Sequence, residues 1–379
     1  MLLCVGLVLL VIFWRAKPVP REQGYFTDYM DPVYTTAIKG VFILLIFLTH
    51  GEQYLTLTDS LPDRIYGLIR IGLGQSVVTA FFFYSGYGMM QSLKRKGGAY
   101  LESFPRLRIL KTLVHFDLPV LLYLIAAVFM GWSLTAGEIA GSFIGWDSLG
   151  NSAWFIFDIL VAYVLFYVSF RIFSGPAAGA DPAGGEAAQQ QWRRGALLFT
   201  CCSVAFVVLM VFVQESRYYN TFLSISMGIW FALYQERIEQ FVQGKKAAPV
   251  NGSEVTAAGH GRFFAILFGL AALYVAGGVL LMGIYDRYEW LYIPLPLLFM
   301  AVLLLLTMVW RFDNPVLRYF GEHLFSVFIL MRLPMELLEY AGLAENVYVF
   351  MALSFVCTVL LAHVFDLFLQ KLDSVLFRR

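Results

Sequence analysis

Lys39 and His50 bracket the run "KGVFILLIFLTH", in which the nine residues from Val41 to Thr49 carry no charge. Eleven steps along an α-helix rise about 16 Å and make close to three turns, so both side chains point toward one helix face at different depths. A cation near one end of that face and an imidazole deep along it suit a pore that receives an anionic ligand. The plainer reading makes Lys39 a topology anchor and His50 a polar contact between helices. Arg332, about eleven residues beyond Gly321 in "GEHLFSVFILMRLPMELLEY", reaches the depth of His50. An arginine at that depth must face protein or water, where it can orient a carbonyl or an anion.

Three further stretches carry polar groups among apolar ones. "FFFYSGYGMM" (81–90) holds Ser85, Gly86 and Gly88, which let a backbone or a ligand come close, and the hydroxyls of Tyr84 and Tyr87. Helix packing alone also accounts for such a patch. In "LKRKGGAYLESFPRLRILKTLVHFDLP" (93–119), Lys94, Arg95 and Lys96 read as topology anchors. Arg106, Arg108 and Lys111 lie where a span begins, a place from which guanidinium groups grip a nucleotide phosphate by paired hydrogen bonds. Contact with lipid phosphate explains the same cluster. His115 and Asp117 follow as supporting partners. In "NSAWFIFDILVAY" (151–163), Trp154 lies at interface depth, where belt tryptophans are common, and Asp158 is one turn deeper. His363 and Asp366 read as a structural i, i+3 pair.

Groups at such depth need long apolar elements to hold them. Of the 379 residues 60% are hydrophobic and 14% charged, and the mean hydropathy is +0.72, far from a soluble domain. The chain therefore reads as an all-α, polytopic membrane bundle of about 10–11 spans in a lipid bilayer. Eleven candidate spans lie near 1–14, 37–55, 66–93, 112–132, 153–173, 196–214, 220–234, 263–284, 291–310, 319–340 and 346–369. Alternation along them places 22 of the 27 lysines and arginines on one side. That side is then cytoplasmic, with the N-terminus outside and the C-terminus inside. "MLLCVGLVLLVIFW" is followed, not preceded, by Arg15, Lys17 and Arg21, so it reads as a retained helix that is short for a full span. The Gly-, Ala-, Pro- and Gln-rich stretches near 174–194 and 244–262 read as flexible cytoplasmic loops. A net charge of +1 and the lack of any recognisable module exclude nucleic acid as a partner. Cys4, Cys201, Cys202 and Cys357 match no zinc or disulfide spacing, and no metal is expected.

With these pieces in place, the chain resembles the acyltransferase-3 family of multi-spanning membrane O-acyltransferases, which includes many bacterial glycan O-acetylases. The likeness rests on "AIKGVFILLIFLTH" (37–50), "AFFFYSGYGM" (80–89), "FPRLRILKTL" (104–113) and "SAWFIFDILVAY" (152–163), with a weaker match at "FGEHLFSVFILMRLP" (320–334). The first stretch is the most specific, because the family pairs a basic residue with a histidine after ten intervening positions. The resemblance implies transfer of an acyl group, usually acetyl, from acyl-CoA to a hydroxyl of an extracytoplasmic acceptor such as a cell-envelope glycan. It implies a bacterial cytoplasmic membrane, and a division into an N-terminal helix and linker (1–29), an acyltransferase domain (30–373) and a short tail (374–379). His50 would be the catalytic histidine and Lys39 its basic partner. Arg106, Arg108 and Lys111 would hold the donor, the basic pattern beginning at either Arg106 or Arg108. Ser85, Tyr84, Tyr87, Trp154, Asp158 and Arg332 would line the substrate path. At Arg332 the chain departs from the family, many members of which carry histidine there. The chemistry agrees: acyl transfer to an alcohol needs a base for the hydroxyl proton, a donor for the oxyanion and exclusion of water. Histidine suits the first role, as general base or as a transient acyl carrier. The rival class is a transporter or lipid-linked glycan flippase, which also needs buried charge along a polar path.

Overall fold

Backbone amides in a lipid core must be bonded within their own segment, and the chain meets this requirement almost entirely with α-helix. The computed structural model describes residues 1–20, 24–56, 60–174, 185–244, 257–282 and 288–377. Its helices are α1 (Leu2–Phe13), α2 (Pro32–Glu52), α3 (Leu61–Leu73), α4 (Ser76–Lys96), α5 (Gly98–Phe104), α6 (Lys111–Phe129), α7 (Ala136–Ser142) and α8 (Ala153–Phe173). They continue as α9 (Glu186–Val213), α10 (Leu223–Gln243), α11 (Ala257–Met282), α12 (Pro294–Val309), α13 (Pro315–Glu322), α14 (Leu324–Leu330), α15 (Arg332–Tyr340) and α16 (Val347–Leu376). Between α5 and α6, Pro105–Leu110 forms a π-helical segment. Two short strands, β1 (Lys17–Pro18) and β2 (Trp310–Arg311), pair antiparallel.

Among the described residues, seven helical stretches are long and apolar enough to cross a membrane: Pro32–Glu52, Gly98–Phe129, Ala153–Phe173, Glu186–Val213, His260–Leu281, Glu289–Val309 and Val347–Leu376. The remaining expected spans differ from these for separate reasons. The α1 helix has 12 residues, about 18 Å, against a hydrocarbon core of about 30 Å. The α4 helix has the length but ends in Lys94, Arg95 and Lys96, cations that suit the partial negative charge of a helix C-terminus. The α10 helix bends at Tyr234, whose φ and ψ are −121° and 16°. The stretch expected near 319–340 is three helices, α13 to α15, broken at His323 (φ −91°, ψ 15°).

The expected loops fall partly outside the described residues, at 175–184 and 245–256. Glu186 to Gln191, expected as linker, already form the first turns of α9. Alanine, glutamine and glutamate are strong helix formers, and here propensity outweighs the lack of apolar periodicity.

Two close helix crossings hold the site-bearing helices. A Cβ at Gly40 of α2 would strike the Leu317 carbonyl of α13, and one at Gly321 would strike the Thr36 carbonyl of α2. On the other flank, a Cβ at Gly86 of α4 would strike the Ile225 carbonyl of α10, and one at Gly228 the Phe83 carbonyl. Small residues let these backbones touch, which is how helices associate where no hydrophobic force separates protein from lipid. Gly88, by contrast, has open space around it and lines a cavity. The small-residue patch thus divides into a packing position and a lining position.

Candidate functional site

The α2 helix starts where Asp31 accepts from the Val33 amide at 2.8 Å, with Pro32 in the first turn. Eighteen residues beyond Pro32, half-buried His50 meets partners on both ring nitrogens. Its Nε2 lies 3.3 Å from Ser152 Oγ, and its Nδ1 lies 3.4 Å from Arg332 Nη1. A guanidinium has no acceptor capacity, so Nδ1 faces it with a lone pair and the ring hydrogen is assigned to Nε2. Arg332 is fixed from several directions at once: Nε donates to Tyr54 Oη at 3.1 Å and Nη1 to Gln53 Oε1 at 3.0 Å. Tyr54 in turn donates to Glu336 Oε1 at 3.3 Å. Ser152 is the N-cap of α8, yet its hydroxyl makes no capping bond and turns to the imidazole instead. The loop before it follows closely over Glu336, where a Cβ at Gly150 (φ +92°) would strike the carboxylate.

Toward the lysine end of α2 lies a cavity of about 830 Å³. Lys39, Lys94, Arg95 and Arg108 put four cations on its wall, together with Tyr84, Ser85, Tyr87 and Tyr163. The Lys39 ammonium is 5.8 Å from the Tyr84 ring centroid and pairs with no carboxylate among the described residues. Arg108 faces the Tyr100 and Tyr163 hydroxyls, and its charge acts on Lys39 across the cavity. Lys94 also donates to the Ala232 carbonyl of α10 at 3.1 Å, and Tyr87 to Gln235 Oε1 at 2.8 Å, so α10 is tied to this wall just beside its bend. A second cavity of about 450 Å³ shares Arg108 and Thr112 with the first and adds Lys96 and Lys111.

The basic cluster read from the sequence is not one group in space. Arg106 Nη2 donates to the Leu376 carbonyl at 2.9 Å, and Lys111 Nζ lies 2.5 Å from Asp373 Oδ2, so both hold the end of α16. His115 joins them, its Nε2 2.8 Å from Asp373 Oδ1. Arg108 alone of the three reaches the larger cavity. In the π turn the Lys111 amide bonds to the Arg106 carbonyl and both side chains reach α16, while Arg108 lies on the wall shared by the two cavities.

Trp154 packs against Phe155 and Tyr218, away from the cavity wall. Asp158 is fully buried, and neither of its oxygens has a partner among the described residues. Asp366 pairs with His323 and Ser326, not with its expected neighbour His363, which is exposed. The break after α13 brings His323 to the carboxylate, and the His323 ring centroid also lies 6.1 Å from that of His363. Sequence reasoning passed over Ser152, Gln53, Tyr54 and Glu336. Glu336 had a usable signal, an acid one turn beyond Arg332 in an apolar stretch. Gln53 and Tyr54 had none, since polar residues at the end of a span are ordinary.

No curated protein and no solved structure matches the chain. A family described as an acyltransferase domain does, over residues 33–366, a region that contains Lys39, Arg108, Ser152, Arg332 and His50. The chain belongs to that family, the acyltransferase-3 family of membrane acyltransferases.

Proposed function

We propose that the protein moves an acyl group, acetyl in the simplest case, from cytoplasmic acyl-CoA to a hydroxyl of an extracytoplasmic acceptor, a cell-envelope glycan, across the cytoplasmic membrane of a bacterium. The observation that carries this reading is the arrangement along α2: a cation-lined cavity at Lys39 and an imidazole beside a guanidinium at His50. The cavity volume lies in the range of sites for cofactor-sized ligands, and its cations suit phosphates. Lys39 and Arg108 face its interior, and Lys111 lines the smaller cavity with Arg108, within reach of the same donor's outer phosphates.

At the other end, the acceptor hydroxyl approaches between His50 Nδ1 and Arg332. The ring nitrogen with the lone pair takes the hydroxyl proton as the oxygen attacks the thioester carbon. Negative charge moves to the carbonyl oxygen, where the Arg332 guanidinium stabilises it. The carbon–sulfur bond then breaks, the thiolate leaves and recovers a proton from the imidazolium, and the ester remains on the acceptor. Ser152 accepts from Nε2–H and holds the ring in the tautomer that this requires. Ser85, Tyr84 and Tyr87 line the way of the pantetheine arm.

The test is release of free CoA thiol from acetyl-CoA by the purified protein supplied with a hydroxyl acceptor. The expected result is release that His50→Ala abolishes while elution and melting temperature stay near those of the parent. Absence of thiol release, together with movement of a lipid-linked glycan between leaflets, would instead establish a transporter.

A further inference from the structure

The larger cavity stops one helical turn short of His50 on two separate elements. On α8 its last lining residues are Phe155 and Ile156, and Ser152, which meets His50 Nε2, lies three residues earlier. On the α14–α15 stretch its last lining residue is Phe328, and Arg332, which meets His50 Nδ1, follows four residues later. One turn is about 5.4 Å. Aromatic rings, Phe81, Phe155 and Phe328 among the lining residues, close that end of the cavity. The Phe155 centroid is 5.0 Å from that of Phe328, 4.8 Å from Phe82 and 6.1 Å from Phe81. Phe81, Phe82 and Phe328 are buried, and Phe155 is half-buried.

We propose that this ring layer, centred on Phe155, is the passage by which the donor's acyl group reaches His50, and that it limits the size of the group transferred. The inference rests on the acyl-transfer reading above. A reacting carbon must come within about 3–3.5 Å of the attacking oxygen, and that oxygen must be within hydrogen-bond reach of the imidazole. The acyl group therefore leads through the layer, with the sulfur behind it and the phosphates held at the cations. Past the rings, His50 sits in a hydrogen-bonded chain of Ser152, Arg332, Gln53, Tyr54 and Glu336. An acyl tail of many carbons would have to hold the rings apart along its length and then displace water from these polar groups, which apolar atoms cannot replace. A two-carbon acyl group needs only one ring to turn aside. The donors this passage admits are short acyl thioesters.

The experiment measures thiol release from acetyl-, butanoyl- and octanoyl-CoA by the full chain and by Phe155→Ala and Phe328→Leu. The parent is expected to favour acetyl over octanoyl by at least about tenfold, since single methylenes already discriminate on that order in fitted pockets. Phe155→Ala is expected to narrow that ratio about tenfold, and Phe328→Leu to narrow it less. Phe328→Leu removes little volume and keeps the inference exposed should the alanine variant fail to fold. Equal use of octanoyl- and acetyl-CoA by the parent, or an unchanged ratio in the folded variants, overturns the ring-layer inference alone. Silence with every donor overturns the acyl-transfer reading and this inference with it.

Discussion

Around His50, each side chain acts on the imidazole through a direct bond or through one or two intermediaries. Arg332 touches the ring and is itself held by Gln53 and Tyr54, and Tyr54 is held by Glu336. Arg332→Gln removes the cation that would face the oxyanion and also loosens the ring. The expected result is a fall of about 100-fold in kcat, with the donor KM close to that of the parent, measured by steady-state thiol release. A donor KM that rises in parallel with an unchanged kcat would move Arg332 to the donor side. At this scale the depth match between His50 and Arg332 was readable from rise per residue, and the two do meet. The route to it was not readable, because Arg332 arrives on a chain that breaks at His323 and not on one continuous helix. Ser152 was unreadable for another reason: a serine before an apolar run is an ordinary helix cap, and only the position of α2 turns its hydroxyl away from that duty.

Among the elements, the π segment between α5 and α6 has the largest consequence for function. An ordinary helix places residues three apart on one face, which would group Arg108 with Lys111. The wider turn groups Arg106 with Lys111 against α16, while Arg108 lines both the smaller cavity that Lys111 borders and the larger one that holds Lys39. The two arginines are therefore expected to part company. Arg108→Ala should raise the KM for acetyl-CoA about tenfold, the worth of a charge-assisted hydrogen bond. Arg106→Ala should leave that KM within about twofold and speed amide exchange in residues 370–377, read by hydrogen-exchange mass spectrometry. Equal KM effects would mean that both side chains grip the donor. In "FPRLRIL" Pro105 marks where the helical ladder loses a donor, but it does not say which way Arg106 and Arg108 then face. The glycine crossings were partly legible: a small-residue patch says that something comes near, but which backbone arrives at Gly86 depends on a helix some 140 residues later.

Over the whole molecule, large apolar side chains lie outermost, among them Phe212 at 81% and Leu280 at 76% exposure, as a lipid-facing shell requires. On the reading proposed above, the excess of lysine and arginine on one side puts the Lys39 cavity toward the cytoplasm and His50 toward the outside. In a background with Cys4, Cys201, Cys202 and Cys357 replaced by alanine, a membrane-impermeant thiol reagent is expected to label Glu345→Cys in intact cells. It should label Glu102→Cys only after permeabilisation. The opposite pattern would place the donor cavity on the wrong side for cytoplasmic acyl-CoA. Fold class, the membrane setting and the matched depth of Arg332 and His50 followed from the chain alone, because apolar run length and rise per residue are local properties. Which nitrogen of His50 faces which partner, the division of the basic cluster and the ring layer below Ser152 came only with the tertiary structure. Each depends on the rotation and depth of one helix against another. Those are set by backbone contacts at Gly40, Gly86, Gly228 and Gly321, which lie far apart in sequence and leave no periodic trace in it.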